Sequence, residues 1–242
     1  MDPSAGDRTA PEAALVSCIV PVFNCERYLR AALDSIFAQS YRHIEVIVVD
    51  DGSSDSTPEI IDSYVGRIVA LRQENAGPAT TRNRGIEVAA GDFIAFLDAD
   101  DIWEPRKVEL QMARFRARPE LDVCVTNARN FWIDELAAER TRFEGHRITK
   151  ELPAYLSSSL LARRRVFEIA GRFDQTLRFG DAAEWFTRVE AQGFLCERLP
   201  ETLLLRRIHH TNRSRLLNQA SRDEFLRVVK ISLDRKRLLR RR

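Results

Sequence analysis

Two hydrophobic rhythms take turns along this chain. Val16-Ser-Cys-Ile-Val-Pro-Val22 is a short apolar run rich in β-branched residues, and it predicts a buried strand. Tyr28 to Gln39 carries Leu29, Ala32, Leu33, Ile36 and Phe37, a helical spacing. Ile44 to Val49 predicts a second strand, Thr57 to Val65 a helix with Pro58 in its first turn, and Ile68 to Leu71 a third strand. A polar loop, Asn75 to Pro78, leads into a helix through Ile86 and Val88. Phe93 to Leu97 is a fourth strand, Glu104 to Arg118 a helix and Leu121 to Val125 a fifth strand. Alternation of this kind over about residues 15–127 predicts a parallel sheet covered by helices on both faces.

The second half is less regular. Arg129 to Glu151 is polar and mixed, which predicts a loop. Leu160 to Ile169 and Asp181 to Gln192 read as helices, and Phe194 to Leu199 with Leu203 to Ile208 as a hairpin. Arg222 to Leu239 reads as an amphipathic helix, with Phe225, Val228, Val229, Ser232 and Leu233 on one side. Residues 1–14 read as a frayed tail without the basic-then-apolar order of a signal peptide.

Composition narrows the class without deciding it. A chain of 242 residues can bury a sizeable core, and 44% hydrophobic with 31% charged residues is ordinary for a globular protein. A formal net charge of +2 gives no reason to expect nucleic acid as a partner. The basic end, Asp234 to Arg242, suits the negative end of a helix dipole or a peripheral contact with an acidic membrane. No run of 18 apolar residues predicts a membrane span. Cys18, Cys25, Cys124 and Cys196 form no C-x-x-C pair, which argues against a zinc site and suits a reducing cytoplasm.

The chemistry is expected beyond the carboxyl ends of the strands, where open sheets bind ligands. Asn24 follows strand one, Asp50-Asp51-Gly52-Ser53 follows strand two, and Asp98-Ala99-Asp100-Asp101 follows strand four. Asp98 and Asp100 could both reach one hard cation, Mn²⁺ or Mg²⁺, or form a solvated turn. Asp50 and Asp51 read either as a turn with a helix cap or as carboxylates facing a nucleobase. In Asn75-Ala-Gly77-Pro-Ala-Thr-Thr-Arg82-Asn83-Arg84-Gly85, glycine allows close backbone approach to a ligand. Arg82 offers a fork for a carbonyl or phosphate.

These motifs, in this order, resemble the family 2 glycosyltransferases, inverting enzymes of the GT-A fold. Pro21-Val-Phe23-Asn24 matches P-V-[YF]-N, and Asp50 to Ser53 matches D-D-G-S. Asn75 to Gly85 matches N-x-G-x-x-x-x-R-N-x-G, and Leu97 to Asp101 matches L-D-x-D-D. The resemblance implies a GT-A domain over 15–218, with a donor half to about 127 and an acceptor half beyond, followed by a basic helix over 219–242. It implies that Pro21, Phe23, Asn24, Asp50, Asp51, Asn75, Gly77 and Arg82 contact a nucleoside-diphosphate sugar, most often a UDP-sugar. Asp98, Ala99 and Asp100 would serve the ribose, diphosphate and metal. The acceptor (glycan, lipid-linked sugar, natural product or peptide) is not legible.

Two late segments complete the expectation. The family's usual catalytic Asp falls on Ala182, which cannot take a proton. That leaves Asp181 and Glu184 as candidate bases, with a helix-capping role for Asp181 as the plain alternative. Arg206 to Ser214 looks like the family's R-x-H-x-x-N-x-S segment, which makes His209 a candidate third metal ligand or diphosphate contact. Trp103 and Trp185 read as packing residues. Ala182 also leaves open a donor-binding protein without transfer, and the basic end leaves open a scaffold for acidic partners. A sugar-1-phosphate nucleotidyltransferase is disfavoured, because Asn24-Cys-Glu-Arg27 is not a Gly-rich basic loop.

Overall fold

The computed structural model describes residues 14–153, 155–215, 224 and 226–231. The first half follows the expected alternation: β1 (Val16–Val22), α1 (Leu29–Phe37), β2 (Ile44–Asp50), α2 (Thr57–Asp62), β3 (Val69–Arg72), α3 (Pro78–Val88), β4 (Phe93–Phe96), β5 (Ile102–Trp103) and α4 (Lys107–Ala117). The second half contributes β6 (Val123–Trp132), α5 (Ala137–Arg142), β7 (Leu152–Pro153), β8 (Leu161–Arg163), α6 (Arg164–Ile169), α7 (Asp181–Ala191) and β9 (Cys196–Ile208).

The described strands form one sheet in the order β3-β2-β1-β4-β8-β6-β9-β5, with β7 beside β6. Pairings β3/β2, β2/β1, β1/β4 and β6/β9 are parallel, and β8 is antiparallel to both β4 and β6. The direction of travel through the sheet reverses at β1, between β2 and β4. A crevice therefore opens beyond the carboxyl ends of these strands.

Side-chain alternation divides the core in two. Val16, Cys18, Val20 and Val22 of β1 face a cluster with Leu29, Leu33 and Ile36 of α1 and Val108, Met112 and Phe115 of α4. Ile19, Ile47 and Val49 face the opposite cluster with Ile86 of α3 and Trp185, Phe186 and Val189 of α7. Helices thus cover both faces, as the period-two pattern requires.

Four expectations for the chain are corrected. The hairpin over 194–208 is one strand, β9. It takes six steps from Arg198 to Leu204 where β6 takes three from Val125 to Ala128. This bulge absorbs Pro200, and Asn127 secures it by donating to the Pro200 carbonyl (2.7 Å) and accepting from Arg198 (2.7 Å). The loop expected from Arg129 begins instead as the last turns of β6, whose half-exposed end lacks a hydrophobic alternation, and continues through α5. Leu160 to Ile169 is a strand and then a helix. Leu161 and Ala162 are buried between β4 and β6, where a continuous apolar run is compatible with either element. Ala14, expected in the tail, is buried and its carbonyl accepts from the Tyr41 hydroxyl (2.5 Å). Of the expected terminal helix, residues 224 and 226–231 are helical with Val228 buried, and the rest lies outside the described residues. Among the described residues no helix is long and apolar enough to cross a membrane.

Candidate active site

Three loops meet at the carboxyl ends of β1, β2 and β4. Asn24 holds a left-handed backbone (φ 46°), its amide donates to Ser53 Oγ (2.9 Å), and its Oδ1 accepts from Ser54 N (2.8 Å). The turn after β1 is thereby tied to the turn after β2. Pro21 is half-buried and Phe23 is exposed beside them.

The two adjacent aspartates do different work. Asp51 is consumed by the loop before α3: Oδ1 accepts from Ala76 N (2.9 Å) and Gln73 Nε2 (2.8 Å), and Oδ2 from Gly77 N (2.9 Å). Gly77 has φ 89°, a region that favours glycine, so Asp51 and Gly77 together set where α3 begins. Asp50 is buried and accepts from Ser53 N through Oδ1 (2.9 Å). Among the described residues its Oδ2 has no hydrogen-bond donor, and it lies 3.4 Å from Arg72 Nε. An unsatisfied buried carboxylate oxygen is costly, and it is a ready acceptor for a ligand N–H. Close by, Gly52, Arg72, Gln73, Glu74 and Asn75 line an open cavity of about 610 Å³.

Arg82 is buried, and its guanidinium forks two carboxylates: Nη2 to Asp98 Oδ1 and Nη1 to Asp181 Oδ2, both at 2.7 Å. Burial resists the charge on Asp98, but Arg82 prevails and holds that carboxyl below its ordinary range. The Asp98 amide donates to Ser158 Oγ (3.0 Å), and the Ser158 carbonyl accepts from Trp103 Nε1 (2.9 Å). Trp103 is therefore a packing residue that also braces the acidic turn.

Asp100 turns the other way. Its Oδ2 lies 2.9 Å from His209 Nε2 and accepts from Asn212 Nδ2 (3.2 Å). His209 Nδ1 is 3.0 Å from Thr211 Oγ1, which orients the ring. Asp101 is structural: its buried Oδ1 accepts the Arg207 amide (3.0 Å) and fastens β9 to the acidic turn. Burial, with Asp100 and Asp98 nearby, pushes its carboxyl well above the ordinary range. Ala99 is buried between the two acids.

The expected trio of Asp98, Asp100 and His209 is not gathered around one point. Among the described residues no group of three or more His, Cys, Asp or Glu side chains does this. Asp100 and His209 do meet. The 2.9 Å between this oxygen and nitrogen is a hydrogen-bond distance. By donor chemistry, a carboxylate and an imidazole, the pair suits a hard cation that draws its other ligands from phosphate and water.

At the start of α7, Asp181 faces Arg82 and is buried at 7% exposure. Glu184, the other candidate base, pairs with Arg188 one turn on (2.9 Å). Arg188 also donates to the carbonyls of Ala170 and Arg172, so Glu184 belongs to a brace behind the helix. Ser158, Asn83 and Asn212 were not singled out in sequence. Asn83 and Asn212 sit inside matched motifs, which was the available signal, whereas nothing local marks Ser158.

A sheet that reverses at β1, with its acids at the strand ends, is the GT-A fold of nucleotide-sugar transferases. The chain belongs to glycosyl transferase family 2, whose pattern residues 17–182 match. EpsH of Bacillus subtilis (strain 168) is 44% identical over 119 residues, 48% of this chain and 34% of EpsH. Staphylococcus aureus TarS 1-349, solved in complex with UDP-GlcNAc, superposes with a TM-score of 0.72 at 19% identity, over 91% of this chain and 66% of that one. The mannosyltransferase PcManGT of Pyrobaculum calidifontis, solved with GDP-Man and Mn²⁺, superposes with a TM-score of 0.65 at 19% identity, over 88% and 63%. At that identity the two structures support the fold alone. The chain spans about a third of the length of EpsH.

Proposed function

We propose that this chain transfers a sugar from a nucleoside-diphosphate donor, a UDP-sugar by the family resemblance, to an acceptor nucleophile with inversion at the anomeric carbon. The observation that carries the reading is the Arg82 fork. It puts Asp98, at the end of a donor-half strand, and Asp181, on the first turn of α7, against one guanidinium.

In this reading the unsatisfied Asp50 oxygen and the cavity beside Asn75 receive the base. Asp51 and Gly77 act by shaping that cavity. Asp98 and Ala99 line the ribose and diphosphate. Asp100 and His209 would hold Mn²⁺ or Mg²⁺, which when bound neutralises charge on the departing nucleoside diphosphate. The acceptor attacks the anomeric carbon from the face opposite the diphosphate, the bond to the phosphate oxygen breaks, and Asp181 takes the acceptor's proton. Glu184 is assigned to packing.

The test is release of nucleoside diphosphate from UDP- and GDP-sugars with Mn²⁺ or Mg²⁺, in wild type and Asp181→Asn. The reading expects release by wild type, to water alone or to an added acceptor, and a fall of about 10²–10⁴-fold in the variant, the usual contribution of general base catalysis. Tight nucleotide binding without release under any acceptor would favour a donor-binding protein, a second reading supported by Ala182.

A further inference from the structure

Asn83 has no place in the chemistry above, yet it is buried at 3% exposure on α3. Its side chain makes a two-way pair with one backbone unit. Nδ2 donates to the Phe173 carbonyl (2.8 Å), and Oδ1 accepts from the Phe173 amide (3.0 Å). The Phe173 ring lies 5.8 Å from the Arg82 guanidinium and packs against Phe96 and Trp185 at 5.3 and 5.8 Å. Phe173 begins the segment that leads into α7, and Asp181 ends it.

Two consecutive residues of α3 therefore grip that segment at both ends, Asn83 at Phe173 and Arg82 at Asp181. Between them Gln175, Thr176 and Arg178 are exposed, and the path is also held by buried Leu177 and by the Glu224 carboxylate, which accepts from the Arg178 and Phe179 amides. At its other end α3 starts at the loop that Asp51 holds through Gly77. Gly85 brings the helix onto β1 so closely that a Cβ there would meet Ile19 Cγ2 at 2.3 Å. A continuous line of tight contacts thus runs from the cavity at Asn75, along α3, to the first turn of α7.

We infer that Asn83 is a positioning residue that couples occupation of the donor site to the placement of α7, an inference that rests on the donor-site reading above. A nucleotide that fixes Asp98 fixes the fork it shares with Asp181. Asn83 holds the far end of the segment, with Leu177 and Glu224 holding its middle, so the constraint reaches the helix along a segment fixed at both ends. The Asn83 side-chain hydrogen bonds go to the Phe173 backbone and not to the residues assigned to the nucleotide or the cation.

The experiment is hydrogen–deuterium exchange on the full chain, with UDP plus Mn²⁺ and GDP plus Mn²⁺ as probes, and nucleotide affinity measured separately by calorimetry. In wild type, the nucleotide that binds slows exchange in peptides covering residues 173–191 by about fivefold or more, the low end of ordinary site-to-site coupling. In Asn83→Ala the same nucleotide binds with affinity within about threefold of wild type, but that slowing is lost. A merely structural role would raise basal exchange and leave the nucleotide-dependent difference intact. The inference is overturned if Asn83→Ala keeps the difference, or if wild type binds nucleotide with α7 unaffected. Should the alanine variant not fold, Asn83→Asp keeps the acceptor for the Phe173 amide, loses the donor to its carbonyl, and is expected to lose most of the slowing. Absence of binding by wild type overturns the donor-site reading and this inference together, and calorimetry separates that result from lost coupling.

Discussion

Replacing Lys107 with Met should stabilise this protein below neutral pH, and the gain should shrink as pH rises. Lys107 is fully buried on α4, its Nζ 4.1 Å from the Trp103 ring and 2.9 Å from Gln111 Oε1, with no carboxylate partner among the described residues. Burial lowers its pKa from 10.5 to about 7. Between those values the unfolded chain binds a proton that the folded chain does not, so stability rises with pH across the window. Below about pH 7 both states are charged and the burial cost is fully present. A difference of 10.5 − 7 = 3.5 in pKa, at about 1.4 kcal/mol for each tenfold, sets that cost at up to about 5 kcal/mol. Methionine keeps the apolar stem but leaves Gln111 Oε1 unpaired, which costs about 1–3 kcal/mol. The net gain at pH 6 is therefore about 2–4 kcal/mol, and it should fall by roughly 3 kcal/mol by pH 9.5. Urea unfolding of both proteins at pH 6, 8 and 9.5 measures this. Curves that stay parallel with pH would refute the buried, depressed lysine.

Two further substitutions test the framework around the site. Gly85→Ala should push α3 off β1, because the added carbon would lie 2.3 Å from Ile19 Cγ2. A loss of about 1–3 kcal/mol is expected, read as a fall of about 2–12 °C in thermal midpoint, with weaker nucleotide binding as Arg82 shifts. Glu184→Gln should cost about 1–3 kcal/mol through its bonds to Arg188, while the folded fraction keeps its rate of nucleotide release. A collapse of that rate with stability unchanged would return Glu184 to the chemistry.

The parallel half of the fold was legible because β1, β2 and β4 are largely buried apolar runs, set between helical segments such as α1 that keep a 3.6 period. The rest was lost where that signal stops. Pro200 looks like a turn, but a bulge closed by Asn127 absorbs it. β8 is three residues long and indistinguishable in pattern from the helix that follows it. The gathering of the motif residues at the strand ends was legible from the strand pattern and motif spacing. What the individual acids do was not, since Asp51, Asp101 and Glu184 spend their oxygens on backbone amides or arginine. Such partners come from distant segments and leave no local mark. Arg82 shows this most clearly: it reads as a ligand contact, yet in the folded chain it joins Asp98 to Asp181, 99 residues away.

The central claim is a nucleotide site with a cation held by Asp100 and His209 and with Asp98 beside the diphosphate, and thermal unfolding with nucleoside-diphosphate sugars tests it most directly. Each sugar is added with Mn²⁺, with Mg²⁺ and with chelator, to wild type and to His209→Ala. A ligand at about 100 times its dissociation constant adds roughly 2.7 kcal/mol, or about 5–10 °C for a chain of this length. The account predicts that one nucleotide series gives this rise with metal, loses most of it with chelator, and loses it again in His209→Ala. A rise that ignores both chelator and His209→Ala would contradict the metal assignment, and no rise with any donor would contradict the site itself.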